Sequence, residues 1–189
     1  GQRVFLEKAG RRTWRFFETF VTAEDNQLPP DNFQEDPRAV VAHRTSPTNI
    51  GMGLLATLAA HDLGFIQTDA LVQRIDATLT TMEGLERFEG HLLNWYDTQS
   101  LAPLAPSYVS TVDSGNLAGA LMTLAEGLRE LSRQTRPSPE PSAETAADQS
   151  GRLEELARRA DAFAAGMSFE FLYDPQRGIL CIGYRLADA

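Results

Sequence analysis

A weak internal repeat constrains the fold of this chain more than any other feature of its sequence. Residues 45–59 read TSPTNIGMGLLATLA and residues 112–125 read VDSGNLAGALMTLA, so that Asn116 follows Asn49 by 67 positions. In both segments a polar residue and an asparagine precede a helix of small and apolar residues. Each of these helices is more apolar than the helix beside it, which predicts inner and outer helices that alternate as in an α/α toroid. The starts of the inner helices and the loops before them would then surround a central cleft.

Apolar residues spaced three and four apart predict about five helices, over residues 11–21, 47–62, 68–88, 114–133 and 151–165. Ser46 followed by Pro47 is a typical helix start, with a capping hydroxyl and a proline at the first helical position. Thr68 is the expected cap of the third helix. Gly51 and Gly53 lower helix propensity, and they indicate that another backbone or a ligand approaches the second helix closely.

Three other segments have a different character. Residues 26–47 contain four prolines and are expected to form a long irregular loop. Residues 134–150, rich in Pro, Ser and Glu, are expected to be an exposed, mobile loop. Alternating Phe169, Phe171 and Tyr173, a turn at 174–178 and a second apolar run predict a β-hairpin over 168–185.

Composition narrows the classes of partner. The 189 residues form one domain or a large piece of one, with a net charge of −9 that argues against nucleic acid or an anionic membrane as partner. The apolar runs are too short to span a bilayer. Cys181 is the only cysteine, which excludes an internal disulfide. The three histidines, His43, His61 and His91, lack metal-ligand spacing, so no metal site is expected.

The stretch over residues 94–119, NWYDTQSLAPLAPSYVSTVDSGNLAG, has the equipment of a sugar-binding site. Trp95 and Tyr96 are flat rings beside the carboxylate of Asp97. Asp113 and Asn116 stand at the predicted start of an inner helix. Under the structural alternative the two rings belong to the core, Asp97 forms a turn, and Asp113 or the next serine is only a helix cap.

The earlier loop supplies further polar candidates. Glu35 is a candidate for one of three roles: a general acid, an acceptor for a sugar hydroxyl, or the ion-pair partner of an arginine. A structural ion pair between Glu35 and Arg44 is the alternative to a role in a site.

Three long motifs of the sequence resemble those of a known family. LPPDNFQEDPRAVVAHRTSPTNIG, the 94–119 stretch and FLYDPQRGILCIGYRLAD together resemble the glucoamylase-like middle region of cyclic β-1,2-glucan synthases, the bacterial NdvB-type proteins. The resemblance implies an (α/α)6 toroid that closes linear β-1,2-glucan into a ring by retaining transglycosylation, without metal, nucleotide or other cofactor. It also implies a large multi-span inner-membrane parent, with this region soluble on the cytoplasmic face and next to the parent's other domains.

The chain is too short for the whole of that region. A toroid of six helix pairs needs more helices than five, so residues 1–189 would be the N-terminal portion of the domain. The resemblance places the catalytic carboxylates mainly outside this chain, and we expect the chain alone to be inactive. Catalytic roles therefore stay unassigned, with Glu35 and Asp113 as the candidates present. The candidate substrate-binding residues are Arg44, Trp95, Tyr96, Asp97, Asp113 and Asn116.

Three hypotheses follow for the function. The chain is the substrate-binding part of a β-1,2-glucan transglycosylase, a complete hydrolase that uses Glu35 and Asp113 as its acid/base pair, or a non-catalytic scaffold segment of the same large membrane enzyme. The scaffold hypothesis predicts that the 26–47 and 94–119 segments lie far apart. A partial toroid would also expose apolar helix faces at its open edge, and we expect self-association there.

Overall fold

The computed structural model describes residues 2–135 and 143–186 of the chain. Within these residues the chain forms five α-helices, with short antiparallel strand pairs between them. The helices are α1 (Gln2–Phe20), α2 (Pro47–Asp62), α3 (Thr68–Gly84), α4 (Thr111–Thr135) and α5 (Ala143–Ala165). Two 3₁₀ turns, at Ala23–Asp25 and Glu170–Leu172, complete the helical elements of the described residues.

The strands are two or three residues long and pair in twos. They are β1 (Phe33–Gln34), β2 (Val40–Val41), β3 (Arg44–Thr45), β4 (Arg87–Phe88), β5 (His91–Leu92), β6 (Tyr96–Asp97), β7 (Tyr108–Ser110), β8 (Tyr173–Asp174), β9 (Ile179–Leu180) and β10 (Gly183–Arg185). β1 pairs with β2, β4 with β5 and β8 with β9 as local hairpins. β3 with β6 and β7 with β10 join segments that are distant in sequence.

The two helices of the sequence repeat, α2 and α4, pack against each other in the same direction. A Cβ on Gly51 would lie 3.0 Å from the Cβ of Ala120, and near the other end a Cβ on Gly127 would clash with Leu58. The close approach predicted at Gly51 is therefore confirmed, and its partner is α4. The core positions of the repeat coincide, since Ile50 and Leu54 of α2 and the residues 67 positions later, Leu117 and Leu121 of α4, are all buried.

The remaining helices surround this inner pair. α5 packs against α4 and α3, while α1 packs against α2 and α3. Apolar side chains of α2, α3, α4 and α5 form one continuous core together with Leu92 and Leu93 of the connecting segment. The inner and outer helices alternate along the chain from α2 to α5, which confirms the predicted partial α/α toroid.

Several predicted boundaries differ from the structure. α1 begins at Gln2 instead of residue 11, and α3 ends at Gly84 because the following residues enter the β4–β5 hairpin. The N-cap of α3 is Gln67, while Thr68 is its first helical residue and is hydrogen-bonded to His61. The start of α2 is as predicted, since the Ser46 hydroxyl accepts a hydrogen bond from Asn49 N–H.

The loop predictions also need correction. Residues 31–44 form the β1–β2 hairpin and its base, not an irregular loop. Of the segment predicted as a mobile loop, residues 134–135 and 143–150 are helical, and residues 136–142 lie outside the described residues. The C-terminal hairpin is shorter than predicted, because Phe169 and Phe171 stand at a 3₁₀ turn and β10 pairs with β7 instead.

Candidate functional site

Strands β3 and β6 bring the two polar segments of the sequence together. In this pair Arg44 faces Asp97 and Thr45 faces Tyr96. Beyond it, the backbone N–H of Thr98 donates to the carbonyl of His43 at 3.1 Å. Segments that are about fifty residues apart thus share one surface. The wide separation that the scaffold hypothesis predicted is absent.

Arg44 occupies the centre of this surface. Its Nε and Nη2 donate to Oδ2 of Asp31 at 3.2 and 2.9 Å, and its guanidinium lies 5.0 Å from the ring centroid of Trp95. About half of the Arg44 side chain remains exposed. The predicted Glu35–Arg44 pair is therefore wrong, and the partner of Arg44 is Asp31, which lies at the base of the same hairpin.

Polar contacts continue from Arg44 across the N-termini of both inner helices. Asn49 donates to the second carboxylate oxygen of Asp31 at 3.3 Å. Next to it, the Thr48 hydroxyl donates to Asp113 Oδ1 at 2.6 Å and accepts from Asn116 Nδ2 at 3.1 Å. Since free N–H groups at helix starts favour polar and negatively charged groups, the parallel packing of α2 and α4 creates a continuous polar edge.

The neighbouring rings of Trp95 and Tyr96 lie in different environments. The side chains of adjacent residues in an extended segment point to opposite sides. Tyr96 consequently lies fully buried, where its hydroxyl donates to the Glu86 carbonyl and accepts from Leu93 N–H, both at 2.6 Å. Burial raises the pKa of Tyr96 well above its usual value. Tyr96 is a core residue and not a sugar platform, whereas Trp95 remains partly exposed beside Arg44.

Asp97 is partly exposed, and its carboxylate stabilises the turn that follows it. Its Oδ1 accepts hydrogen bonds from the Ser100 backbone and hydroxyl at 2.7 and 2.8 Å, and from Gln99 N–H at 3.1 Å. These bonds, led by the one from the Ser100 backbone, hold the pKa of Asp97 below its usual value. The turn-forming alternative is therefore observed, and Asp97 also lines the cavity described below.

Asp113 is not a helix cap. α4 begins at Thr111, and the acceptor for Asp113 N–H is the hydroxyl of Ser110 at 3.2 Å. Ser114, the other predicted cap, is buried and hydrogen-bonded to His91 Nδ1 at 2.8 Å. The Asp113 side chain is instead hydrogen-bonded to Thr48 on the polar edge.

Glu35 lies apart from the other candidates. It is exposed near the tip of the β1–β2 hairpin and lines a surface depression with Arg12, Arg15 and three phenylalanine side chains. Asp113, Arg44 and Trp95 do not line that depression. The structure therefore does not bring Glu35 and Asp113 together.

An open cavity of about 580 Å³ adjoins Arg44. Its walls combine polar and apolar side chains, those of Asn32, Gln34, Val40, Ala42, His43, Arg44, Asp97 and Leu104. Asp31, Thr48 and His43 were not among the candidate site residues selected from the sequence. The sequence signal for this edge was the asparagine that recurs in both copies of the repeat, because it lies near the start of each inner helix.

Among residues 2–135 and 143–186, no cluster of three or more His, Cys, Asp or Glu side chains has metal-binding geometry. No helix in the same residues is long and apolar enough to cross a bilayer.

The fold is that of a partial glucoamylase-like α/α toroid, and solved structures share it. A β-1,2-glucanase from Parabacteroides distasonis matches all of this chain and 24% of its own, with a TM-score of 0.75 and 14% identity. A proposed glucoamylase from Bacteroides fragilis NCTC 9343 matches 94% of this chain and 42% of its own, with a TM-score of 0.68 and 15% identity. At such identities the likeness concerns the fold.

Sequence comparison gives the family. Residues 8–135 match the family described as protein of unknown function DUF3131, and the chain belongs to it. Over 125 residues, 66% of its length, the chain is 52% identical to the cyclic β-(1,2)-glucan synthase NdvB of Rhizobium meliloti (strain 1021). This confirms the resemblance drawn from the three motifs. The chain spans only 4% of that relative.

Proposed function

We propose that this chain is the N-terminal portion of a domain that binds linear β-1,2-glucan and helps to close it into a ring by retaining transglycosylation. The observation that carries the proposal is the pairing of β3 with β6, which assembles an arginine, an indole ring and helix-start polar groups on one edge. The identity to a cyclic β-(1,2)-glucan synthase and the fold shared with a β-1,2-glucanase supply the substrate class.

The polar edge suits a carbohydrate in its chemistry. Trp95 offers apolar surface to the C–H face of a glucose ring, and the contact with Arg44 fixes the orientation of the indole. Thr48 engages Oδ1 of Asp113, which leaves Oδ2 of that carboxylate and the side-chain oxygen of Asn116 to accept sugar hydroxyls. Flat apolar surface next to convergent polar groups is the usual composition of a small-molecule site.

The catalytic carboxylates belong, in this proposal, to the part of the domain that follows this chain. Retention requires two carboxyl groups about 5 Å apart. Glu35 and Asp113 line separate surfaces, which speaks against a complete hydrolase within these residues. The chain covers less than half of each solved relative, so room for the missing groups exists. We place the whole enzyme at the inner membrane, with this region on the cytoplasmic face.

Calorimetry with linear β-1,2-glucan oligosaccharides tests the proposal. We expect the chain to bind them, and Trp95→Ala to weaken binding about tenfold, equivalent to about 1.4 kcal/mol. Tyr173→Ala is the matched control, because it removes an aromatic ring that is 50% exposed on the β8–β9 hairpin, outside the polar edge. Oligosaccharides with β-1,3 linkages give the linkage control. Failure of the unaltered chain to bind, or equal binding by the Trp95 variant, would contradict the proposal.

A further inference from the structure

A carboxylate–histidine pair borders the same cavity, and it has no part in the site described so far. Nδ1 of His43 lies 2.8 Å from Oδ1 of Asp25. Asp25 is 5% exposed, whereas 39% of the His43 side chain is accessible at the cavity wall. The hydroxyl of Thr98 donates to the same oxygen of Asp25 at 2.5 Å. One ring nitrogen of His43 is thus anchored, while the side chain as a whole stays accessible at the cavity.

We propose that His43 is a ligand-contacting residue whose Nε2 accepts a hydrogen bond from a glucan hydroxyl, and that Asp25 is its positioning residue. This inference rests on the proposed function, because it takes the cavity beside Arg44 to be part of the glucan site. It adds a specificity contact beside Arg44 at the polar edge.

The backbone around Asp25 is held in an unfavourable conformation. Asn26 and Gln27 have φ values of 52° and 61°, in the left-handed region that residues other than glycine rarely adopt. The hydroxyls of Thr81 and Thr78 donate to the carbonyls of these two residues at 2.8 and 3.0 Å. Backbone strain of this kind persists only where the surroundings enforce it, and it clusters at functional sites.

The same turn is attached to the strand that carries the candidate site. Asn26 Nδ2 donates to the carbonyls of Thr98 and Gln99 at 2.7 and 3.0 Å. Asp25, His43 and Thr98 therefore belong to one hydrogen-bonded network with the β3–β6 pair.

The chemistry of the pair determines what His43 offers. An ionised carboxylate only accepts hydrogen bonds, so Asp25 places the proton of a neutral His43 on Nδ1. Nε2 is then an acceptor at the accessible end of the ring. The charged groups around the ring are Asp25 at Nδ1, and Asp97 and Arg44, which line the cavity together with His43. A sugar hydroxyl can donate to Nε2 while its oxygen accepts from the arginine.

Two amide substitutions distinguish this role from a structural one. The side-chain oxygen of His43→Gln reaches the position of Nε2, whereas that of His43→Asn reaches only the position of Nδ1. In calorimetry with linear β-1,2-glucan we expect His43→Asn to weaken binding about fivefold, close to the value of one hydrogen bond, and His43→Gln to stay within about twofold. Asp25→Asn should weaken binding in the unaltered chain but cause no further loss in the His43→Asn background.

Nitrogen-15 NMR of the unaltered chain gives a readout that does not depend on any variant. The chain has only three histidines, so their ring nitrogens can be assigned. We expect the Nδ1–H tautomer for His43 and a shift of its Nε2 resonance on addition of glucan, with no shift for the buried His91. The Nε2–H tautomer at neutral pH, or an unshifted Nε2 at saturation, would overturn the inference.

The results also separate this inference from the proposed function. Binding that is lost in Trp95→Ala but unchanged in His43→Asn overturns the role of His43 alone. Absence of binding by the unaltered chain refutes the proposed function and this inference together. Equal losses for Asp25→Asn in both backgrounds would show that Asp25 does not act through His43.

Discussion

The polar edge around Arg44 and the α3–α5 interface around Arg159 use the same residue type in opposite ways. Arg159 donates to Glu83, Thr80 and Asp76, and only 18% of its side chain is exposed. Arg44 has a single carboxylate partner, lies against an indole ring and is about half exposed. Among the described residues, the guanidinium of Arg159 bonds to three side chains within the fold, whereas that of Arg44 bonds to one and stays about half exposed.

Two other pairs of residues repeat this contrast. Tyr96 is buried with both hydrogen bonds made, and its neighbour Trp95 is partly exposed. Both ring nitrogens of His91 are engaged inside the protein, by Ser114 and Ser168, while His43 is engaged at Nδ1 and open at the other end. Residues of one chemical type therefore divide into members whose polar atoms are bonded inside the fold and members that remain accessible at the surface.

Tyr96→Phe is the strongest test of this division. The substitution leaves Leu93 N–H and the Glu86 carbonyl without their partner, and we expect the free energy of unfolding to fall by about 2 kcal/mol. Glucan affinity of the folded protein should not change. Urea denaturation measures the effect, with Trp95→Phe as the control that should cost less. A stable Tyr96→Phe variant that fails to bind glucan would place the hydroxyl in the site.

Arg159→Met should have the next largest effect. Removal of the guanidinium leaves Asp76 and Glu83 without a counter-charge, and we expect a loss of about 1.5 kcal/mol in unfolding free energy with unchanged glucan binding. The matched control is Arg158→Met at the next position, where the pair with Glu155 is more exposed and should contribute less than about 0.5 kcal/mol. Equal losses in the two variants would refute the distinction.

His91 should give the smallest effect, visible only in the pH dependence. Burial lowers its pKa below the ordinary 6.5, against the opposing effect of the Ser168 carbonyl. Below about pH 6.5 the unfolded chain therefore binds a proton that the folded protein does not. As the pH is lowered, the free energy of unfolding then falls by at most about 1.4 kcal/mol per pH unit.

Urea denaturation between pH 7 and 5.5 should show this slope in the unaltered protein and its loss in His91→Gln. Ser114→Ala keeps the imidazole and serves as the control that retains the slope. A slope that persists in His91→Gln would assign the acid sensitivity to other groups.

Much of the helical architecture could be predicted from local signals. The Ser46–Pro47 pair marks the start of α2, and the buried positions of Ile50 and Leu117 follow from the repeat. The start of α1 was missed because residues 2–9 are exposed, so the apolar periodicity that marks a packed helix begins only further along, near the buried Trp14. The exposed apolar side chains of Val112 and Met122 on α4 are in keeping with an open edge, and self-association there stays a prediction.

The candidate site was predicted less completely, for reasons visible in single residues. Trp95 and Tyr96 look equivalent in the sequence, yet a two-residue strand sends one ring to the surface and the other into the core. Glu35 and Asp31 are both acidic residues of one loop, but only the base of the hairpin reaches Arg44. Register of pairing, which depends on contacts distant in sequence, decides such cases.

The sequence by itself determined the helical class of this protein, the order of its inner and outer helices and the family to which it belongs, because periodicity, caps and long motifs are local properties. Only the tertiary structure decided which polar residues meet. Arg44, Asp31, Trp95 and the paired Asp25 and His43 come together through strand register and the parallel packing of α2 and α4. Those contacts join segments that no local rule connects, and they bring the candidate residues together on one surface.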